Sequence, residues 1–105
     1  MPRAKKFAKY QPGEEEGINL DAFVDAAELW EFHNAARGLR PLTLARTLFP
    51  SKQSGYVQAT NQLKHYAANK ATAMDCRKRG DVSTALHYEK IAERIYSELP
   101  TFARW

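Results

Sequence analysis

Residues 63–99 read LKHYAANKATAMDCRKRGDVSTALHYEKIAERIYSEL, and this stretch decides the fold. Ahead of and through its first half, Tyr56, Ala59, Leu63, Tyr66, Ala67, Ala71 and Met74 recur mostly three or four apart, which places them on one face of a helix. Arg77, Lys78 and Arg79 crowd the last turn, where cations meet the negative end of the helix dipole. Gly80 can adopt the left-handed conformation that ends a helix. Asp81 can accept from the free amides of the next helix. Ala85, Tyr88, Ile91, Ala92, Ile95, Tyr96 and Leu99 then share the inner face of that second helix, and Pro100 stops it. So short a turn makes the two helices antiparallel neighbours. Small residues (Ala67, Ala71, Ala85, Ala92) opposite large ones (Tyr66, Met74, Tyr88, Tyr96) let the backbones approach.

Gly80, Asp81, Ala85, Leu86, Tyr88, Ala92 and Pro100 give this hairpin a pattern that resembles a single tetratricopeptide repeat, over residues 63–100. Tyr66 and Ala67 sit roughly where that family carries small and aromatic residues. The resemblance implies a helical hairpin with a peptide-binding groove. The chain holds one copy, with no self-similarity at a period of about 34 residues. A lone repeat cannot bury its own apolar face, so other segments must cover it.

Upstream, a helix is expected from Asn19 to about Ala36, capped by Asn19 or Asp21 and closed by Gly38 and Pro41. Its apolar face would be Phe23, Ala26, Ala27, Trp30 and His33 or Asn34. Asp21, Asp25 and Glu28 would form one acidic stripe, extended by Glu31. A short helix follows, with Pro41 in its first turn, Leu42, Ala45, Leu48 and Phe49 on its buried side, and Pro50 at its end. Residues 51–55 form a polar connector, with Ser54 a cap for the long helix starting near Tyr56. The expected architecture is all-α: a bundle of about four helices with a C-terminal antiparallel hairpin, in one domain over residues 19–105. Residues 1–18 read as a flexible arm, basic at Arg3, Lys5, Lys6 and Lys9, then acidic at Glu14, Glu15 and Glu16. Phe102 and Trp105, after the proline stop, are expected to fold back over the hairpin and supply the apolar neighbour it lacks.

Composition narrows the function classes. At 105 residues with 44% hydrophobic content, the chain supports one core. No apolar run approaches the length of a membrane span. The N-terminus lacks an apolar signal segment, and Cys76, the one cysteine, has no internal partner; a cytoplasmic location is the expectation. His33, His65 and His87 fall on different helices, too scattered for a zinc site beside one thiol. No nucleophile triad or glycine-rich phosphate loop is present, and carboxylates in a helical row are usually a solvated face, so no catalytic residue, metal or cofactor is assigned.

Charge patterning is the stronger clue. Residues 14–31 hold seven carboxylates and no Lys or Arg, whereas residues 37–79 hold nine cations and the single carboxylate Asp75. The whole-chain net charge of +4 hides this asymmetry. A basic middle attracts polyanions, nucleic acid above all. The expected phosphate contacts are Arg37, Arg40, Arg46, Lys52, Lys64 and Lys70, with Lys52 beside the amides that open the long helix. Gln58, Asn61 and Gln62 are the expected base readers, since their amides can pair bidentately with adenine. The short helix and the long one after it would then act as a helix-turn-helix, with a connector longer than usual. Two other accounts stand beside this one. The acidic segment can neutralise the basic one within the fold. Alternatively, the chain is a protein-interaction adaptor or inhibitor that uses the hairpin groove, the acidic residues Asp21, Asp25 and Glu28, or Phe102 and Trp105 as anchors, with self-association included.

Overall fold

The computed structural model describes residues 17–23, 25–50 and 56–105. Four helices pack into one body: α1 (Ala26–Arg37), α2 (Pro41–Leu48), α3 (Val57–Lys78) and α4 (Val82–Glu98). Short 3-10 turns at Leu20–Ala22 and Thr101–Ala103 flank them. The all-α bundle with a C-terminal hairpin is as expected. Residues 1–16, Lys52 and the proposed Ser54 cap lie outside the described residues. Gly17 and Ile18, which the sequence assigns to the arm, belong to the body. Ile18 is buried, and the Gly17 amide donates to the Leu48 carbonyl at 2.6 Å. Gly17 has φ +97°, and a Cβ there would sit 3.3 Å from Phe49 Cε1, so glycine is the residue this crossing requires.

The hairpin turn is a Schellman motif. The Gly80 amide donates to the Arg77 carbonyl at 3.0 Å and the Asp81 amide to the Cys76 carbonyl at 2.9 Å, with Gly80 at φ +84°. Asp81 then caps α4 by accepting from the Thr84 amide at 3.2 Å. Hydrogen bonds from Thr84, its side chain foremost and then its backbone, hold the Asp81 carboxyl below the ordinary aspartate range. The sign follows: the cap's contribution is complete above the unfolded carboxyl's pKa of about 3.9 and is lost as pH falls through the lower folded value. We expect Asp81→Asn, which keeps the acceptor but does not titrate there, to flatten the fall in stability as pH drops below about 4; denaturant midpoints at matched pH values check this, and an unchanged acid limb refutes it.

α3 is the central element, with α1, α2 and α4 all packed on it. Its buried residues are Ala59, Thr60, Leu63, Tyr66, Ala67, Ala71, Ala73 and Cys76. Alanines at so many of these positions bring α4 close, where Ala85 and Ala92 meet it. Two ties mark one seam of the α3–α4 pair. Arg77 Nη2 donates to Glu89 Oε1 at 2.9 Å, and the Tyr66 and Tyr96 rings lie 6.4 Å apart. On the other seam Gln62 Nε2 reaches the Glu98 carbonyl at 3.4 Å.

Two readings of the N-terminal half need correction. The helix expected from Asn19 is divided. Asn19 caps only the Leu20–Ala22 turn, accepting from the Asp21 amide at 2.9 Å, and Phe23 is extended at φ −76°, ψ 120°. Asp25 caps α1, accepting from the Glu28 amide at 2.9 Å. Phe23 therefore says nothing about the helix face. The buried residues of α1 are Leu29, Phe32 and Ala36, while Ala27 is exposed and Ala26 and Trp30 are half-buried. For the same reason Asp21, Asp25 and Glu28 do not share a helical stripe: the first lies on a separate turn and the second is the cap. On α2 the buried side is Leu44, Ala45 and Leu48, followed by Phe49, and Leu42 is 44% exposed.

Candidate nucleic-acid interface

Because α3 is flanked by α1 and α2 on one side and α4 on the other, it shows solvent only a narrow stripe. Gln58, Asn61 and His65 occupy it, exposed at spacings of three and four. The Gln58 and Asn61 amides have no hydrogen-bond partner among the described residues, so both are available to a ligand. Gln62 is half-buried and engaged with the Glu98 carbonyl. Further along, Asn69 Nδ2 donates to the His65 carbonyl at 2.8 Å, which fixes that end of the stripe.

The cations fall into separate groups. The start of α1 (Asp25, Ala26, Trp30) lies against Met74, Asp75 and Lys78 near the end of α3, and His33 Nδ1 comes within 3.1 Å of the Lys64 carbonyl. α1 thus runs antiparallel to α3 and delivers Arg37, in its last turn, to the end where α3 begins. Arg40 follows at the N-cap of α2 and Arg46 lies on the outer side of that helix; all three arginines are exposed. Lys64 is half-buried on the α1 side of the stripe. Lys70 points elsewhere. Its Nζ lies 3.9 Å from Asp21 Oδ1, in a depression also lined by Tyr66, Glu93, Tyr96 and Trp105. The expected phosphate set is therefore divided, with Lys70 apart from the arginines and Lys52 outside the described residues.

Several carboxylates that might neutralise the arginines have other work. Asp25 and Asp81 cap helices. Asp75 Oδ2 accepts from Trp30 Nε1 at 2.8 Å. Glu89 is bonded to Arg77, and that bond holds the Glu89 carboxyl below its ordinary range. Asp21 accepts from both Tyr66 Oη and Trp105 Nε1 at 2.7 Å. Among the described residues, no carboxylate is ion-paired with Arg37, Arg40 or Arg46.

The C-terminal aromatics are packed into the body. Phe102 meets Tyr56 at 4.2 Å and Phe49 at 5.2 Å between ring centroids. Trp105 meets Tyr96 at 4.8 Å and Tyr66 at 5.2 Å, and the Tyr96 hydroxyl donates to the Trp105 carbonyl. Burial, first, and then the bond to Asp21 push the Tyr66 phenol well above its ordinary pKa. Both aromatics pack against the core and stay half-buried. The role of Asp21 as the joint between Tyr66 and Trp105 was not visible in the sequence, where its partners stand 45 and 84 residues away.

Cys76 is buried, with Arg79 Nη2 donating to its Sγ at 3.3 Å. Among the described residues no three His, Cys, Asp or Glu side chains gather as metal ligands, and no helix is long and apolar enough to cross a membrane. Comparison with known protein families, with characterised proteins and with solved structures finds no match to this chain.

Proposed function

We propose that this chain is a non-enzymatic nucleic-acid-binding protein, acting alone or within a nucleoprotein assembly, that docks by the end of the bundle where α1 and α2 meet the start of α3. The observation that carries this is the state of Arg37, Arg40 and Arg46. All three are exposed, close in sequence around the α1–α2 junction, and unpaired among the described residues, while Asp21, Asp25 and Asp75 are occupied by backbone, phenol or indole donors. Of the basic segment, Lys70 and Arg77 are paired with Asp21 and Glu89, while Arg37, Arg40 and Arg46 are left for an outside anion. Guanidinium groups in this state bind phosphodiesters with release of counterions. Gln58 and Asn61, with unengaged amides on the neighbouring stripe, are then the groups that read base edges.

Binding of mixed DNA and RNA fragments at two salt concentrations tests the proposal. We expect affinity to fall steeply with salt. The triple variant Arg37→Gln, Arg40→Gln, Arg46→Gln should bind more weakly, with a logarithmic salt slope shallower by about 2–3 on duplex DNA, near 0.9 for each phosphate contact removed. Gln58→Ala and Asn61→Ala should alter preference among sequences with little change in the slope. No binding by the native chain even at low salt overturns the proposal.

A further inference from the structure

The neighbours of α3 decide which form of nucleic acid its amides can read. Of residues 57–76, only Gln58, Asn61 and His65 are exposed. At 100° per residue these three fall within an arc of about 60°. Other helices begin at both edges of that arc. Gln62, about 40° beyond one edge, donates to the Glu98 carbonyl of α4 at 3.4 Å. Lys64, about 60° beyond the other edge, has its carbonyl 3.1 Å from His33 Nδ1 of α1. Nearer the start of α3 the tail takes over from α4, with Phe102 against Tyr56 at 4.2 Å between ring centroids, and α2 packs on the helix as well.

A helix flanked in this way does not fit a groove of duplex DNA. Packed helix axes lie about 8–10 Å apart and each helix is about 10–12 Å across, so α3 with a neighbour on either side is roughly 26–32 Å wide. The major groove of B-DNA is about 12 Å wide and about 8.5 Å deep, and it admits one helix that stands clear of its neighbours. Here the flanking helices would meet the phosphate ridges before Gln58 or Asn61 reached a base edge. The minor groove is narrower still. The groove-reading arrangement expected from the sequence is therefore closed to α3.

A base that has left the stack can come to the helix instead. The Gln58 and Asn61 amides each offer donors and an acceptor, unspent among the described residues. An unpaired base turned outward presents its Watson–Crick edge to such groups. His65, exposed in the same arc, offers a ring on which a base can stack. The two edges of the stripe differ in charge. Arg37 and Lys64 lie on the α1 side, and the exposed Glu98 lies on the α4 side. An anionic backbone is therefore favoured along α1, with its bases directed across α3.

We infer that the chain takes single-stranded nucleic acid, with unpaired bases laid on Gln58, Asn61 and His65 and the backbone on the Arg37 side, and that duplexes are held by phosphate contacts alone. This rests on the nucleic-acid reading above and names the form of nucleic acid that the same interface reads.

The test uses the full chain, with single-stranded DNA and RNA of one mixed sequence and the matching DNA and RNA duplexes as probes. The double variant Gln58→Ala, Asn61→Ala should bind at least one single strand about tenfold more weakly, and should leave affinity for both duplexes within about twofold of the native value. His65→Ala should likewise weaken single-strand binding alone, and His65→Phe, which keeps a ring for stacking, should restore it. All three side chains are exposed, and helical circular dichroism of each variant checks the fold. Comparison of the DNA and RNA arms shows which sugar the stripe accepts. Equal losses on duplex and single strand, or no loss on either single strand, overturn this inference; the proposed function then stands if the triple arginine variant still loses affinity. If the native chain binds none of the four probes, both fall.

Discussion

Replacing Phe49 with alanine should lower the free energy of unfolding by about 3–5 kcal/mol, the usual cost of deleting a fully buried aromatic ring. The ring is 1% exposed. It stands just past α2, where four separate parts of the chain converge: it touches Tyr56 ahead of α3, Phe102 in the tail and the backbone at Gly17. In a domain near this size each kcal/mol moves the melting temperature by roughly 4–8 °C, so the effect is easily read by thermal or denaturant unfolding. Leu42→Ala provides the control, because Leu42 is 44% exposed on the same short helix and its loss should stay within about 0.5 kcal/mol. A Phe49 variant that unfolds within 1 kcal/mol of the native chain (an order-of-magnitude threshold) would show that the tail and α2 do not share one core.

The next largest effect is expected at Asp21. Asp21→Ala removes the acceptor of the Tyr66 hydroxyl and of the Trp105 indole together. Hydrogen bonds to a charged acceptor contribute roughly 1.5–3 kcal/mol each; with Asp21 partly open to water, we expect a total loss of about 2–3 kcal/mol. The two bonds share one carboxylate, so Tyr66→Phe and Asp21→Ala should be markedly less than additive in a double-mutant cycle. Additive losses would mean that the bond is absent in solution. The same site sets an alkaline limit. The Tyr66 phenol is pushed above its ordinary value of 10.0 by burial first and by Asp21 second. Above pH 10 the unfolded chain releases this proton while the folded chain retains it, so stability present at neutral pH declines as pH rises. Tyr66→Phe should flatten that decline in denaturant titrations between about pH 9 and pH 11.

The elements governed by local chemistry were legible in the sequence. Arg79–Gly80–Asp81 read as a turn because glycine admits a left-handed backbone and aspartate accepts from free amides, and both are seen. Pro41 and Pro50 bracketed α2 for reasons as local. The start of α1 misled because Asn19, Asp21 and Asp25 can all cap; the chain is extended at Phe23, and Asp25 caps the helix that follows. That choice rotated the apolar face onto Leu29 and Phe32, away from the one counted from Phe23. At the interface, the sequence singled out cations by their density along the chain. It could not separate Lys70, drawn toward Asp21 across the fold, from Arg37, Arg40 and Arg46.

The joint at Asp21 also bears on the order in which the molecule assembles. The hairpin closes over short separations, 12 residues between Arg77 and Glu89, whereas the Trp105–Asp21 bond spans 84. Closing the larger loop costs more chain entropy, and its two partners are held near each other only after α3 and α4 have met. Collapse therefore favours α3 and α4 first, with the Trp105–Asp21 bond fastened late. Contacts made after the rate-limiting step leave the folding rate nearly unchanged and govern the rate of unfolding instead. The pairing of Trp105 with Asp21 thus acts as a brake on the native state's escape, setting its lifetime more than the speed of its formation.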